Sequence, residues 1–181
     1  MKALKEWAAV VKALENGNQT VLLRKGGILE TASGFSVESK KFLLFPTFEH
    51  QELSSLKSQF YGYLAEVREN QPEPGANKLA SYAEVIEECD ISDMEKLEAL
   101  SPFHIWSDSY IKERMNWMPQ KPMKAMFLRV FKTKQSEILV LAEYQGCKSW
   151  IEINVNAESG QSVLSDREIN EKLEEFRGIV N

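Results

Sequence analysis

Histidine and cysteine are scarce in this chain. Histidine occurs only at positions 50 and 104, and cysteine only at 89 and 147. There is no C-x-x-C and no H-E-x-x-H, which argues against a structural zinc site or a zinc protease, since both need such ligands at fixed spacing. No serine sits in G-x-S-x-G, so no nucleophile elbow is present. Gly26-Gly27 lacks the G-K-[ST] step of a phosphate-binding loop, and no G-x-G-x-x-G occurs, which argues against ATP and dinucleotide chemistry. Apolar runs are only a few residues long, too short for a membrane-spanning helix. The N-terminal stretch is broken by Glu6 and Lys12 and does not read as a secretory leader. A cytoplasmic protein with reduced, buried thiols is the expectation. Internal repeats and low-complexity segments are absent.

What is present is an ordinary globular composition, 43% hydrophobic and 27% charged over 181 residues. A chain of this length buries roughly 70% of its unfolded surface and needs no disulfide. The net charge is -5, but its distribution is uneven. Residues 84–98 hold seven acids against one base, Lys96. Residues 114–136 hold Arg114, Lys121, Lys124, Arg129, Lys132 and Lys134 and no acid. Trp117, Phe127 and Phe131 are interleaved with those cations. Cations track phosphates and aromatic rings stack on bases, so this run is a candidate surface for DNA or RNA. A solvated strand face explains the same run, and the acidic run is the candidate surface for a basic protein partner.

Leu4, Trp7, Ala8, Val11 and Leu14 recur at helical spacing and predict a helix over 3–16, ended by Asn16-Gly17. The stretches 19–24, 28–37 and 41–47 read as strands, the first two joined by a tight reversal at Lys25-Gly26-Gly27. The unbroken run Phe42-Leu43-Leu44-Phe45 predicts burial on both faces. Thr47 is placed to cap a second helix with Leu53, Leu56, Phe60, Leu64 and Val67 on its inner side. Residues 71–77, polar and rich in Pro and Gly, read as a linker between an α/β half (1–70) and a β-rich half (78–181), although one continuous domain also fits. In the second half a strand precedes a short helix capped by Ser92, and Ser107 caps another. Two paired strands and one more strand follow. Ser165 to Glu168 forms a capping box that opens a C-terminal helix. The fold class is α+β, a helix-βββ-helix half followed by mostly antiparallel strands.

Several short groups are candidate sites. Arg24 and Lys25 flank glycines whose exposed amides suit a phosphate, although a plain hairpin turn has the same composition. Glu49 and His50 stand at a predicted helix start, where an acid–base role and an anion-binding cap are both open. Lys148 stands beside Cys147, the arrangement that activates a thiolate, but no histidine lies near in sequence to act as base. The residues after Cys147 read as the start of a core strand. His104 stands among Trp106 and Tyr110, which are expected to serve the core.

The helix-βββ-helix order of the first half is similar to the start of the PD-(D/E)XK nuclease core. Glu38-Ser39-Lys40 is an E-x-K on the approach to the third strand, and Glu30 lies on the strand before it. With Mg²⁺ bound, Glu30, Glu38 and Lys40 would be the catalytic set. The family's usual aspartate has no counterpart, since no Asp precedes Asp90.

Four blocks carry a wider resemblance: the stretch 5–28 ("KEWAAVVKALENGNQTVLLRKGGI"), "FLLFPTFEHQ", "SPFHIWSDSYIKERMNW" and "YQGCKSWIEI". Together, from Lys5 to about Ile153, they resemble DUF1802, a family of prokaryotic proteins of unknown function. The resemblance implies an association with restriction-modification systems and supplies no catalytic residue. It marks the four blocks as the places where a site would lie. The resulting expectation is a nucleic-acid-associated binding module, with a Mg²⁺-dependent nuclease and a chemistry-free interaction scaffold as alternatives.

Overall fold

Residues 2–7 do not join the helix that their apolar spacing predicts. They form strand β1 (Lys2–Trp7), and helix α1 (Ala8–Glu15) starts only afterwards. The computed structural model describes residues 1–26, 34–155 and 159–181. Ala3 and Leu4 point to opposite faces of the sheet and are both buried, because β1 runs between two other strands. That placement overrides local helical propensity. α1 buries six of its eight residues, as a helix apolar on nearly every side must. It ends at Gly17, whose φ of 72° is left-handed.

The remaining elements, in chain order, are β2 (Val21–Arg24), β3 (Lys41–Thr47), α2 (Tyr61–Glu69), β4 (Ala76–Ile91), α3 (Met94–Ala99) and α4 (Asp108–Asn116). They are followed by β5 (Met123–Leu139), β6 (Trp150–Glu152), β7 (Gln161–Ser162) and α5 (Asp166–Val180). The strands form one mixed sheet of order β2-β5-β4-β3-β1-β6, with β7 on β5. Both halves of the sequence contribute strands to it. β1 and β3 run parallel, and the other pairings are antiparallel. The fold is therefore α+β.

β2 pairs with β5 in antiparallel register from Val21 opposite Phe127 to Arg24 opposite Lys124. The expected return strand begins at residues that lie outside the described set, and residues 34–39 have no regular structure. The second helix is shorter than predicted. Leu53–Ser55 and Ser58–Phe60 are 3₁₀ turns, and only Tyr61–Glu69 is α-helical. Thr47 caps nothing; its hydroxyl donates to the Glu6 carbonyl at 3.1 Å. α3 is capped by Asp93, not Ser92. The two expected strands after residue 122 are one strand of 17 residues. Ser107 caps α4, and the capping box of Ser165 and Glu168 opens α5, as their spacing predicts.

Two apolar clusters lie on the two faces of the sheet. The larger gathers Leu22, Phe42, Leu44, Phe127 and Phe176 around α1. The smaller contains Ala3, Leu43, Phe45, Tyr82 and Ile151. Phe42–Phe45 thus alternate between two buried faces, which explains their unbroken apolarity. Among the described residues no helix is long and apolar enough to cross a membrane.

Candidate functional site

A cleft of about 880 Å³ opens at the C-terminal ends of the parallel strands β1 and β3. Lys5, Glu6 and Trp7 enter it from β1, Phe45 to Thr47 from β3, and Phe48 to His50 from the loop beyond. Arg24 and Gly26 come from the end of β2, and Trp106, Tyr110 and Arg114 from α4 and its approach. Residues 144–149 close one wall and residues 71–77 another. All four sequence blocks named above therefore reach this one cavity.

The framework of the cleft is braced by polar contacts. Glu6 is 5% exposed. Its Oε2 receives Arg24 NH1 at 3.0 Å, and its Oε1 receives the Trp7 amide at 2.8 Å. Arg24 also donates to the Lys5 carbonyl at 3.3 Å and, through NH2, to Ser149 Oγ at 2.7 Å. Its guanidinium lies over the Phe35 ring. Arg24 is thus a locked strut that joins β2, β1 and the wall at Ser149. Gln51 fixes the 47–51 loop, accepting from the Ala9 amide at 3.0 Å and donating to the Thr47 carbonyl at 3.0 Å. His50 stands on this loop at the rim, exposed and with φ of 58°.

Lys5 is the inner cation. Its ammonium donates to the carbonyls of Tyr144 at 3.0 Å and Gly146 at 2.8 Å. Burial draws its pKa below the ordinary lysine value, and the neighbouring Cys147 and Glu49 oppose that shift. Arg114 lies 4.9 Å from the Trp117 ring centroid, and Lys148 is exposed at the rim. Among the described residues none of Lys5, Arg114 and Lys148 is held in an ion pair. The aromatic side is a row: Trp7 and Tyr110 have centroids 5.2 Å apart, and Tyr110 and Trp106 6.4 Å apart. Trp7 is half-buried and Trp106 almost wholly buried, its Nε1 without a partner among the described residues. Burial raises the Tyr110 phenol pKa, so the hydroxyl stays protonated at neutral pH.

The other predicted site residues are placed differently. Lys25 is fully buried and donates its ammonium to the Met115 carbonyl at the end of α4, together with a 3.6 Å contact to Met115 Sδ. Its ammonium meets a carbonyl of the last turn of α4, where a cation is favoured. The basic run does not form one surface. Lys124 pairs with Asp90 at 2.8 Å and Arg129 with Asp166 at 2.5 Å. Lys132 and Lys134 point outward from β5, Lys121 is half-buried, and Arg114 alone of the six lines the cleft. Phe127 is in the core and Phe131 is stacked on Tyr82 at 4.8 Å, so neither offers a free face. The acidic run spans the end of β4 and α3, and its Glu84, Glu87 and Glu88 on β4 pair with Lys41, Arg177 and Lys40.

Of the nuclease set, Glu30 lies outside the described residues. Glu38 is paired with Lys2 at 2.8 Å, and Lys40 with Glu88 at 3.0 Å. Among the described residues no three His, Cys, Asp or Glu side chains gather to hold a metal. His104 is buried in the core, its ring nitrogens without a hydrogen-bond partner among the described residues, and its pKa falls to about 3, chiefly through burial. Cys147 is exposed rather than buried, and Cys89 is half-buried; both are free thiols. Glu49, His50 and Lys148 all line the cleft. Sequence spacing alone missed Glu6, Trp7 and Ser149, because a helix over 3–16 would have turned β1 away from the loop before β6.

The sequence model of the family described as Domain of unknown function (DUF1802) matches residues 3–175, and the chain belongs to that family. No curated protein matches the sequence. Among solved structures the fold is similar to the crystal structure of ASCH from Zymomonas mobilis. That chain is 14% identical with a TM-score of 0.43, and the match covers 71% of this chain and 66% of the ASCH chain. A mutant of the Zymomonas mobilis protein gives 14% identity and a TM-score of 0.48 over 95% of this chain and 94% of its own. These are likenesses of outline only.

Proposed function

We propose that this DUF1802 protein is a binding module for single-stranded nucleic acid and receives one unpaired nucleotide in the cleft. The observation that carries the reading is convergence: four separated blocks bring a half-buried indole and three cations outside any described ion pair into one cavity. Trp7, backed by Tyr110, offers a π face to a base, and base–aromatic stacking contributes about 1–3 kcal/mol. Lys5, Arg114 and Lys148 attract phosphate. The volume falls within the roughly 300–1,000 Å³ range of small-ligand pockets, which suits a nucleotide. A base within a duplex is stacked and paired, so only an unpaired one enters without that cost. Glu49 and Glu73 on the walls limit the number of phosphates engaged to about two or three, with a correspondingly modest salt slope. A restriction-modification role rests on the family resemblance alone, and no feature of the cleft favours the nuclease alternative.

The test is a titration of single- and double-stranded DNA and RNA at low salt. Single strands of at least one kind are expected to bind more tightly than their duplexes. Arg114→Glu combined with Lys148→Glu should weaken binding by about tenfold or more, since a phosphate that is no longer neutralised keeps its condensed counterions. Lys132→Glu combined with Lys134→Glu should leave it nearly unchanged. Absence of single-strand binding overturns the reading. So does a loss confined to the Lys132 and Lys134 variant.

A further inference from the structure

The cleft has a neighbour. A second pocket of about 310 Å³ lies between α1, the end of α2 and the far part of the β4–β5 ribbon. The two cavities share four lining residues, Pro46, Phe48, Pro72 and Asn77. Phe48 is half-buried and lines both, so it stands as a ridge between them.

Hydrogen bonds tie down the loop that carries Phe48. Gln51 ties the loop of Phe48 to the start of α1 and to the Thr47 carbonyl. Thr47 bonds the Glu6 carbonyl, and Arg68 bonds the Gln51 carbonyl at 2.7 Å. Asn77, 3% exposed, donates to the Pro46 carbonyl at 2.9 Å and accepts from the Lys78 amide at 2.8 Å, which pins the opposite wall. A loop backbone tied in this way loses little freedom when a ligand stacks on the ring it carries.

The two cavities differ in chemistry. The larger has the three cations described above. The smaller is lined by Glu15, Asn70, Gln135 and Lys78, together with the Lys12–Glu66 ion pair at 2.5 Å. Glu15 accepts from Ser81 Oγ at 2.7 Å, and burial raises its pKa. Amides and carboxylates of this kind suit the donor and acceptor edge of a base, while phosphate would meet Glu15 and Glu66.

We infer that the smaller pocket is the subsite for the neighbouring base of the same strand, so that two consecutive nucleotides straddle Phe48. This rests on the nucleic-acid reading of the larger cleft. It implies a minimum ligand of two nucleotides, with phosphate held on the cleft side of the ridge and the second base read on the other.

The experiment measures binding of random-sequence, 5′-phosphorylated DNA and RNA oligonucleotides of one to four nucleotides by calorimetry or NMR shift titration. Affinity should rise by about tenfold or more from one to two nucleotides, the scale of one added base stack, and much less thereafter. Phe48→Ala should remove most of that step, while Phe48→Trp retains it. Gln135→Ala, at an exposed position, should reduce the step without altering stability. Equal affinity for one and two nucleotides, or a step that persists in Phe48→Ala, overturns this inference and leaves the cleft reading standing. No binding at any length overturns both.

Discussion

Arg24 and Glu6 meet at 3.0 Å, although their strands β2 and β1 stand four positions apart in the sheet. With strands about 4.8 Å apart, a flat sheet would hold them roughly 19 Å from each other. The sheet is therefore strongly curled around α1, and the Arg24–Glu6 bridge spans its open side. Register shifts in the β4–β5 pair between Leu79 and Ser81 and between Val85 and Glu87 supply bends of the kind this curvature needs. The curl also brings the end of β2 to the cleft.

Loss of this bridge should be costly. Glu6→Gln removes the charge that Arg24 was placed to meet, and Arg24 is largely shielded from water. A destabilisation of about 2–4 kcal/mol is expected in urea unfolding, below the figure for a fully buried pair because the guanidinium keeps some contact with solvent. Replacing both residues by Met should recover part of the loss, since no unpaired charge remains. A neutral effect of Glu6→Gln would show that the bridge does not hold the curl.

His104 gives the protein a definite pH dependence. Its pKa is about 3 in the folded state, below the ordinary 6.5. The unfolded chain therefore binds the proton first as pH falls. The stability linked to this residue is complete above pH 6.5 and is lost between about 6.5 and 3, with a slope of up to about 1.4 kcal/mol per pH unit. His104→Leu should lose about 2–3 kcal/mol less than the parent protein between pH 7 and 4.5. Parallel unfolding curves for the two proteins over that range would contradict the assignment.

Trp7 separates binding from stability. Being only half-buried, it should cost about 1–2 kcal/mol on truncation to Ala, less than the 2–5 kcal/mol of a buried Leu22→Ala. Single-strand affinity should nevertheless fall by about tenfold, the scale of a single base stack. Trp7→Phe should keep most of the affinity. Thermal unfolding and the single-strand titration measure the two effects side by side.

The two thiols should be distinguishable by alkylation of the native protein. Cys147 is exposed on the cleft wall and should be labelled within minutes by a maleimide. Cys89 is half-buried, and burial with its acidic neighbours Glu87 and Asp90 raises its pKa, so it should react much more slowly. Mass spectrometry of partially labelled protein checks the order. Preferential labelling of Cys89 would mean that the region around β4 opens readily.

Local sequence signals determined much of this molecule by themselves. The cap at Ser107, the capping box at Ser165 and the apolar run Phe42–Phe45 each specify their element through contacts within a few residues or through simple burial. The resemblance carried by four blocks marked where a site would lie. Tertiary structure decided what those signals leave free. Leu4, Trp7, Ala8 and Val11 satisfy a helical period, yet pairing of β1 with β3 and β6 draws residues 2–7 into the sheet, because hydrogen bonds to distant strands outweigh a weak local propensity. Charge shows the same division. The acidic and basic runs look like two partner surfaces in sequence, but much of each lies on the adjacent strands β4 and β5, where Asp90 faces Lys124 and Glu84 faces Arg129. Cross-strand neighbours neutralise much of each other's field, and the cations outside described ion pairs at the cleft are those brought there by three different parts of the chain.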